Sequence, residues 1–220
     1  MVNILQLKIA LDDVKPPIWR RVLVQNNIDF YNFHLLIQKV MGWKNRHLFG
    51  FTLKEYDINC YYDSDSDKEK IHIEPSLNYA SFLNPDQRKE YYEKYKEYKS
   101  GEKLILGDFL NKEKQKVRYT YNYKYCWDHT IIVEKILKHE VNKYYPVCIK
   151  GKRACPPDSF DLEVRGADAY MYICEGLQEN PDNPKFKSFK EGYKQAYGRD
   201  FDPEYFDLTE VNEKLEELNL

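Results

Sequence analysis

The sequence predicts an α+β fold, a mixed or mainly antiparallel sheet packed by an N-terminal helix and by helices near the C-terminus. Three observations predict it. Large apolar residues fall on every second position in two separated stretches, 5–11 and, strictly alternating with polar ones, 117–123, which is the period of half-buried strands. Between them Phe30, Phe33, Ile37, Val40 and Met41 recur at helical spacing and form one apolar stripe. Near the C-terminus, Asp207 and Glu210 make a capping-box-like pair with Phe206 and Val211 in the staple positions, the mark of a helix start.

Each element follows in order. Leu5, Leu7, Ile9 and Leu11 alternate with Gln6, Lys8 and Ala10 in the first strand, and Pro16-Pro17 breaks it. Residues 18–24 form the second, with Trp19, Arg21 and Leu23 on one face and Ile18, Arg20, Val22 and Val24 on the other. Asp29 caps a helix running to about Met41, and Gly42 fits its end. Residues 47–56 read as a strand, the Asp-Ser-Asp-Ser-Asp run at 63–67 as a polar loop, and Ile71 and Ile73 as part of a short strand. Residues 86–99 form a charged surface helix ending near Gly101, with Tyr91, Tyr92, Tyr95 and Tyr98 packing on the domain. The alternating stretch 117–123 and the β-branched run 130–137 are neighbouring strands. Residues 144–149 add one more strand, 154–166 are mostly loop, and 168–177 and 185–197 are helices. The last helix buries Leu208, Val211, Leu215 and Leu218. There is no internal repeat and no low-complexity linker, so residues 1–220 read as a single domain with a charged peripheral insertion at about 62–103.

Composition narrows the function classes. The chain has 220 residues, 34 basic and 36 acidic, for a net charge of −2. That balance argues against a dedicated nucleic-acid binder, which shows a basic excess, while leaving room for a local basic patch. The 20 Tyr and 11 Phe offset an apolar fraction of only 42%, because each aromatic ring buries a large area. No apolar run approaches a membrane span and the N-terminus lacks a signal peptide's apolar core. A cytoplasmic protein is expected, with its five Cys reduced.

Six segments carry a family resemblance: Lys15-Pro16-Pro17-Ile18-Trp19-Arg20-Arg21-Val22-Leu23-Val24; residues 36–51 with Met41-Gly42-Trp43 and His47-Leu48; Leu106-Gly107-Asp108-Phe109-Leu110; residues 119–133 with Trp127-Asp128-His129; residues 145–157 with Gly151 and Ala154-Cys155-Pro156-Pro157; and Phe201-Asp202-Pro203-Glu204-Tyr205-Phe206-Asp207. In this order they resemble the plasmid pRiA ORF-three-like family, widespread in bacteria and archaea and often found beside mobile elements. The resemblance implies an α+β fold and a biochemically undefined activity. The chain also departs from the family pattern. Lys124-Tyr125-Cys126 stands where the family carries an acidic, Gly-containing stretch. Val164-Arg165-Gly166 stands in place of a Gly-Gly pair, and Phe49 in place of a second His.

Three chemical readings compete with bland ones. Cys126, His129, Cys148 and Cys155 supply ligands for tetrahedral zinc if the fold gathers them. Yet regular strand geometry turns Cys126 and His129 to opposite faces, and cysteine is commonly buried without any ligand role. Cys155 is the obvious nucleophile for a hydrolase-like site using His129, provided a positive neighbour such as Lys152 or Arg153 lowers its pKa. Asp128 faces away from His129 on a strand and is a poor partner for it. Arg20, Arg21 and Arg153, beside Trp19, Lys44, Arg46, Lys150 and Lys152, make an anion-binding face if they converge, whereas the bland reading pairs the arginines with carboxylates. The 63–67 run lacks the Gly and Glu of a calcium loop. The reading that follows is a non-enzymatic interaction module whose partner is a protein or a nucleic acid. No cofactor, metal or membrane contact is expected. Trp43, His47, Trp127, His129 and Cys155 are the residues expected to share a site.

Overall fold

The computed structural model describes residues 2–63, 68–75, 83–100, 104–158, 162 and 164–220. Its strands are β1 (Asn3–Leu11), β2 (Trp19–Gln25), β3 (Phe49–Thr52), β4 (Tyr56–Asp63), β5 (Lys68–Pro75), β6 (Lys116–Tyr121), β7 (Trp127–Lys138) and β8 (Val147–Lys152). Its helices are α1 (Phe30–Met41), α2 (Pro85–Ser100), the single turn α3 (Leu106–Phe109), α4 (Ala167–Glu179), α5 (Pro184–Tyr197) and α6 (Leu208–Glu216). The eight strands form one sheet in the order β5-β4-β3-β6-β7-β1-β2-β8. Every neighbouring pair is antiparallel.

Alternation decides which face is buried. Leu7 and Ile9 of β1, Val22 and Val24 of β2, Tyr119 and Tyr121 of β6, and Ile131 and Val133 of β7 are all buried. Helix α1 covers that face. Phe30 meets Phe51 edge-on at 5.0 Å between ring centroids, and Phe33 stacks on the same ring at 5.6 Å. Asp29 accepts the Asn32 N–H at the start of α1, and Gly42 ends it in the left-handed region at φ 77°, where a side chain would be strained. Tyr91 of α2 stacks on Tyr56 at 5.3 Å, so α2 extends the same layer toward β4. Truncating a ring such as Phe33, which is fully buried, removes about 3–5 kcal/mol.

The differences from expectation are local. Residues 47–56 do not form one strand: β3 ends at Thr52, and the Leu53 N–H donates to the Tyr56 carbonyl, closing a turn over polar Lys54-Glu55. β7 begins earlier than expected, at Trp127, and β8 lies later, because Pro146 precedes it. The charged segment supplies the end of β4, the edge strand β5 of the sheet itself and the helix α2. Residues 64–67 and Gly101 lie outside the described residues, as do the side chains of Tyr95 and Tyr98. Asp207 caps α6 by accepting the Thr209 and Glu210 N–H groups. The Glu210 carboxylate instead holds Arg199, Tyr205 and Lys214. Leu208 is 39% exposed while Leu215 is fully buried, so the apolar face of α6 is one position shorter than expected.

Candidate functional site

After Gly42 the chain must cross from α1 to β3, and four successive residues of that crossing are pinned by hydrogen bonds. The Trp43 indole N–H donates to the Pro156 carbonyl at 2.8 Å, and the Lys44 N–H to Asp158 Oδ2 at 2.9 Å. The Asn45 N–H donates to Gln38 Oε1 at 3.0 Å, and the Arg46 N–H to the Tyr121 hydroxyl oxygen at 2.8 Å. Asn45 takes φ 52°, a conformation its short amide tolerates better than most side chains. The pins are themselves fixed. Gln38 Nε2 donates to the Tyr119 hydroxyl at 2.9 Å, and Tyr121 donates its own proton to Asp158 Oδ2 at 3.0 Å. His34 Nε2 lies 2.6 Å from Asn45 Oδ1, and its Nδ1 lies 2.8 Å from the Tyr119 hydroxyl. Because an amide oxygen only accepts, Nε2 carries the proton and Nδ1 accepts from tyrosine. Burial keeps that imidazole neutral, with its pKa lowered to about 4.

This crossing presents Arg46 and His47 to a cleft of about 300 Å³, whose walls include Trp127, Tyr125, Pro157, Asp158, Leu162 and Val164. His47 Nε2 stands 3.7 Å from Asp158 Oδ1, and its ring meets Tyr121 edge-on at 5.6 Å. Asp158 is buried, and its backbone N–H donates to the Tyr197 hydroxyl at 2.9 Å. The opposite wall comes from the β6–β7 turn, where Asn122 (φ 58°) and Cys126 (φ 49°) are left-handed. The Tyr125 and Cys126 N–H groups both donate to the Asn122 carbonyl. Non-glycine residues in that region carry backbone strain, which clusters at functional sites. Trp43 lies one layer behind the cleft, stacked on Tyr121 at 4.9 Å between ring centroids.

The structure thus places His47 and Trp127 on one cleft, with Trp43 behind it on the wall of a second cavity, and brings neither His129 nor Cys155 into the first. His129 is on the buried face of β7, between the Trp43 and Tyr119 rings at 5.2 and 5.3 Å. Its Nδ1–H points to the Tyr119 carbonyl at 3.4 Å and its Nε2 has no hydrogen-bond partner. Burial lowers its pKa to about 4. Cys155 opens instead onto that second cavity, of about 310 Å³, between the end of α1 and the start of α6. Its sulfur accepts from Arg20 Nη2 at 3.2 Å, and burial pushes its thiol pKa up despite that cation. A nucleophile needs the opposite shift. Asp128 turns to the other face and binds Thr120 and Arg118.

The zinc candidates also stay apart. Cys126 is exposed and donates to the Tyr123 carbonyl, whereas the Cys148 sulfur is buried beside the Lys150 carbonyl. Among the described residues, no group of three or more His, Cys, Asp or Glu side chains lies close enough to hold a metal ion. The three arginines do not converge into one anion site either. Arg20 is buried on the inner face of β2, where it donates to the Val40, Trp19, Lys152 and Arg153 carbonyls. Arg21 faces the other way and forks onto Glu134 at 2.5 and 2.7 Å. Arg153 binds Glu204 Oε1 and the Pro17 carbonyl. Strand alternation separates the first two, and a positive φ at Arg153 turns the third toward Glu204. Asp158, Tyr121, Gln38 and His34 escaped sequence reading as site residues. Only Asp158 left a signal, directly following Ala-Cys-Pro-Pro.

Three comparisons bear on identity. A family model described as plasmid pRiA4b ORF-3-like protein matches residues 3–210. An uncharacterized protein of Sinorhizobium fredii (strain NBRC 101917 / NGR234) is 22% identical over 222 aligned positions, covering 99% of this chain and 93% of its own length. A crystal structure of a protein of unknown function from Methanosarcina mazei Go1 superposes with a TM-score of 0.63 at 25% identity, over 96% of this chain and 98% of that one.

Proposed function

The chain belongs to the plasmid pRiA4b ORF-3-like family, and from that premise we propose that it is a non-enzymatic interaction module whose cleft receives an acidic segment of a partner protein. One observation carries this reading. Four consecutive residues, Trp43 to Arg46, are each held by a hydrogen bond to a different partner residue. Buried polar networks of that kind cost desolvation and contribute little net stability, but they hold side chains in a fixed arrangement. The cleft that this network borders is lined by Arg46, His47 and Lys124 together with apolar Trp127, Leu162 and Val164, and His47 lies 3.7 Å from the Asp158 carboxylate. A carboxylate over an aromatic floor suits that lining. A cytoplasmic setting and a link to mobile elements belong to the same proposal. The raised Cys155 thiol and the walled-in His129 weigh against the hydrolase-like alternative.

The chain has three Trp, so its three indole N–H signals form a compact nitrogen-15 reporter. Short peptides with acidic termini should move the Trp127 signal, and His47→Ala or Trp127→Ala should weaken them at least about tenfold, the loss of a central contact. Peptides that move no indole signal, or bind equally well to both variants, would remove the cleft as the recognition site. Ester turnover abolished by Cys155→Ala would replace the proposal with the enzymatic one.

A further inference from the structure

The helices described above cover one face of the sheet, and the opposite face carries a row of cations independent of the cleft. Cross-strand register places Lys150, Arg21, Lys8, Ile132 and Lys116 side by side on five adjacent strands. The next rung holds Lys152, Trp19, Ala10, Thr130 and Arg118, and Lys135 stands opposite Gln6 nearby. Lys116, Arg118, Lys135, Lys150 and Lys152 are exposed, while Lys8, Trp19 and Arg21 are half-buried. Three carboxylates share this region, and each is committed. Glu134 takes Arg21 and Gln6, Asp128 takes Arg118 and Thr120, and Asp12 accepts from Thr130. Lys8, Lys116, Lys135, Lys150 and Lys152 make no ion pair among the described residues. Toward β4 and β5 the same face turns acidic, at Asp57 and Glu74. The five lysines named above all lie on the β8-β2-β1-β7-β6 half, and among the described residues beyond Asp57 and Glu74 the register returns to cations only at Lys70 and Lys68 of β5.

We infer that this half of the open sheet face binds single-stranded nucleic acid, with the five lysines on phosphates and Trp19 beside a base. Neighbouring strands lie about 4.8 Å apart, so the lysines form a continuous track across the sheet rather than a single anion pocket. Exposed sheet faces with an aromatic ring among cations suit flexible single strands, whose bases are free to stack. Lys8 Nζ and Arg21 lie 5.5 and 5.3 Å from the Trp19 ring centroid, so a base reaching that ring enters already beside two cations. A near-neutral total charge is no obstacle, since the surplus is local. This inference uses none of the cleft residues.

The test is fluorescence anisotropy of a labelled oligothymidylate of about 12 nucleotides with the full chain, across a salt series. Lys150→Glu/Lys152→Glu should raise Kd at least about tenfold and flatten the log Kd–log salt slope by about 1.4, two lost phosphate contacts at about 0.7 each. A charge-matched control elsewhere, Lys112→Glu/Lys187→Glu, should leave the slope unchanged. In the indole spectrum Trp19 should move while Trp127 stays, which separates this surface from the cleft. No binding at low salt overturns the inference, as does an equal loss in the control variant. Duplex DNA or polyglutamate competing as well as the single strand also overturns it.

Discussion

Acidification from pH 7 to pH 5 should unfold this protein more readily through two imidazoles. His34 and His129 each fall from 6.5 to about 4 on folding, because burial penalises their charged forms. The unfolded chain therefore binds more protons than the native one between those values. Stability is complete above pH 6.5 and is lost as pH falls toward 4. For one such group the loss at pH 5 is about 2 kcal/mol, and for both about 4, a large share of a typical domain's total. His129→Phe keeps an aromatic ring between Trp43 and Tyr119 but has no proton to gain. It fits less well and starts from lower stability, so the informative quantity is the slope. Urea unfolding at half-unit pH steps should show the variant losing about half of what the wild type loses between pH 7 and 5. Glu134 and Glu210, whose pKa values are lowered by bonded cations, contribute only below about pH 4.5. An unchanged slope in the variant would refute the buried, neutral assignment of His129.

Other perturbations have expected sizes. Arg20→Lys cannot reproduce the planar fork and should cost about 2–3 kcal/mol in urea unfolding, through orphaned buried carbonyls; a change under about 0.5 kcal/mol would show those bonds to be dispensable. Gly176→Ala places a methyl 2.0 Å from the Phe186 ring and should lower stability by about 1–3 kcal/mol, read as a drop in Tm. Asp207→Ala removes the cap of α6 and should cost about 1 kcal/mol, checked by the same unfolding assay. Iodoacetamide at pH 8 should modify Cys126 ahead of Cys148, Cys155 and Cys174, whose thiol pKa values burial raises; peptide mass spectrometry orders the four rates.

Much of the fold was legible because it rests on local rules. The β2 pattern put Arg20 and Arg21 on opposite faces, and the structure keeps that division, with Arg20 on the buried side. Asp29, Gly42 and Asp207 marked helix ends through backbone chemistry that needs no tertiary partner. The turn at Lys54-Glu55 was missed because the apolar residues on both sides gave one continuous pattern. The site was less readable for a different reason. Trp43, His47 and Trp127 stand out by residue type, but Asp158 and Tyr121 matter through tertiary partners, including N–H groups that they accept from 114 and 75 positions away. No spacing encodes such pairs. Cys155 misled because its environment, not its identity, sets its pKa.

The four-point anchoring of residues 43–46 also bears on when recognition becomes available. Its fasteners belong to α1, to β6 and to the stretch around Pro156 and Asp158, regions separated widely along the chain. Until all of them have docked, Arg46 and His47 have no fixed address. A nascent or partly melted chain therefore offers its partner nothing to grip, and affinity should fade on warming before the sheet itself comes apart.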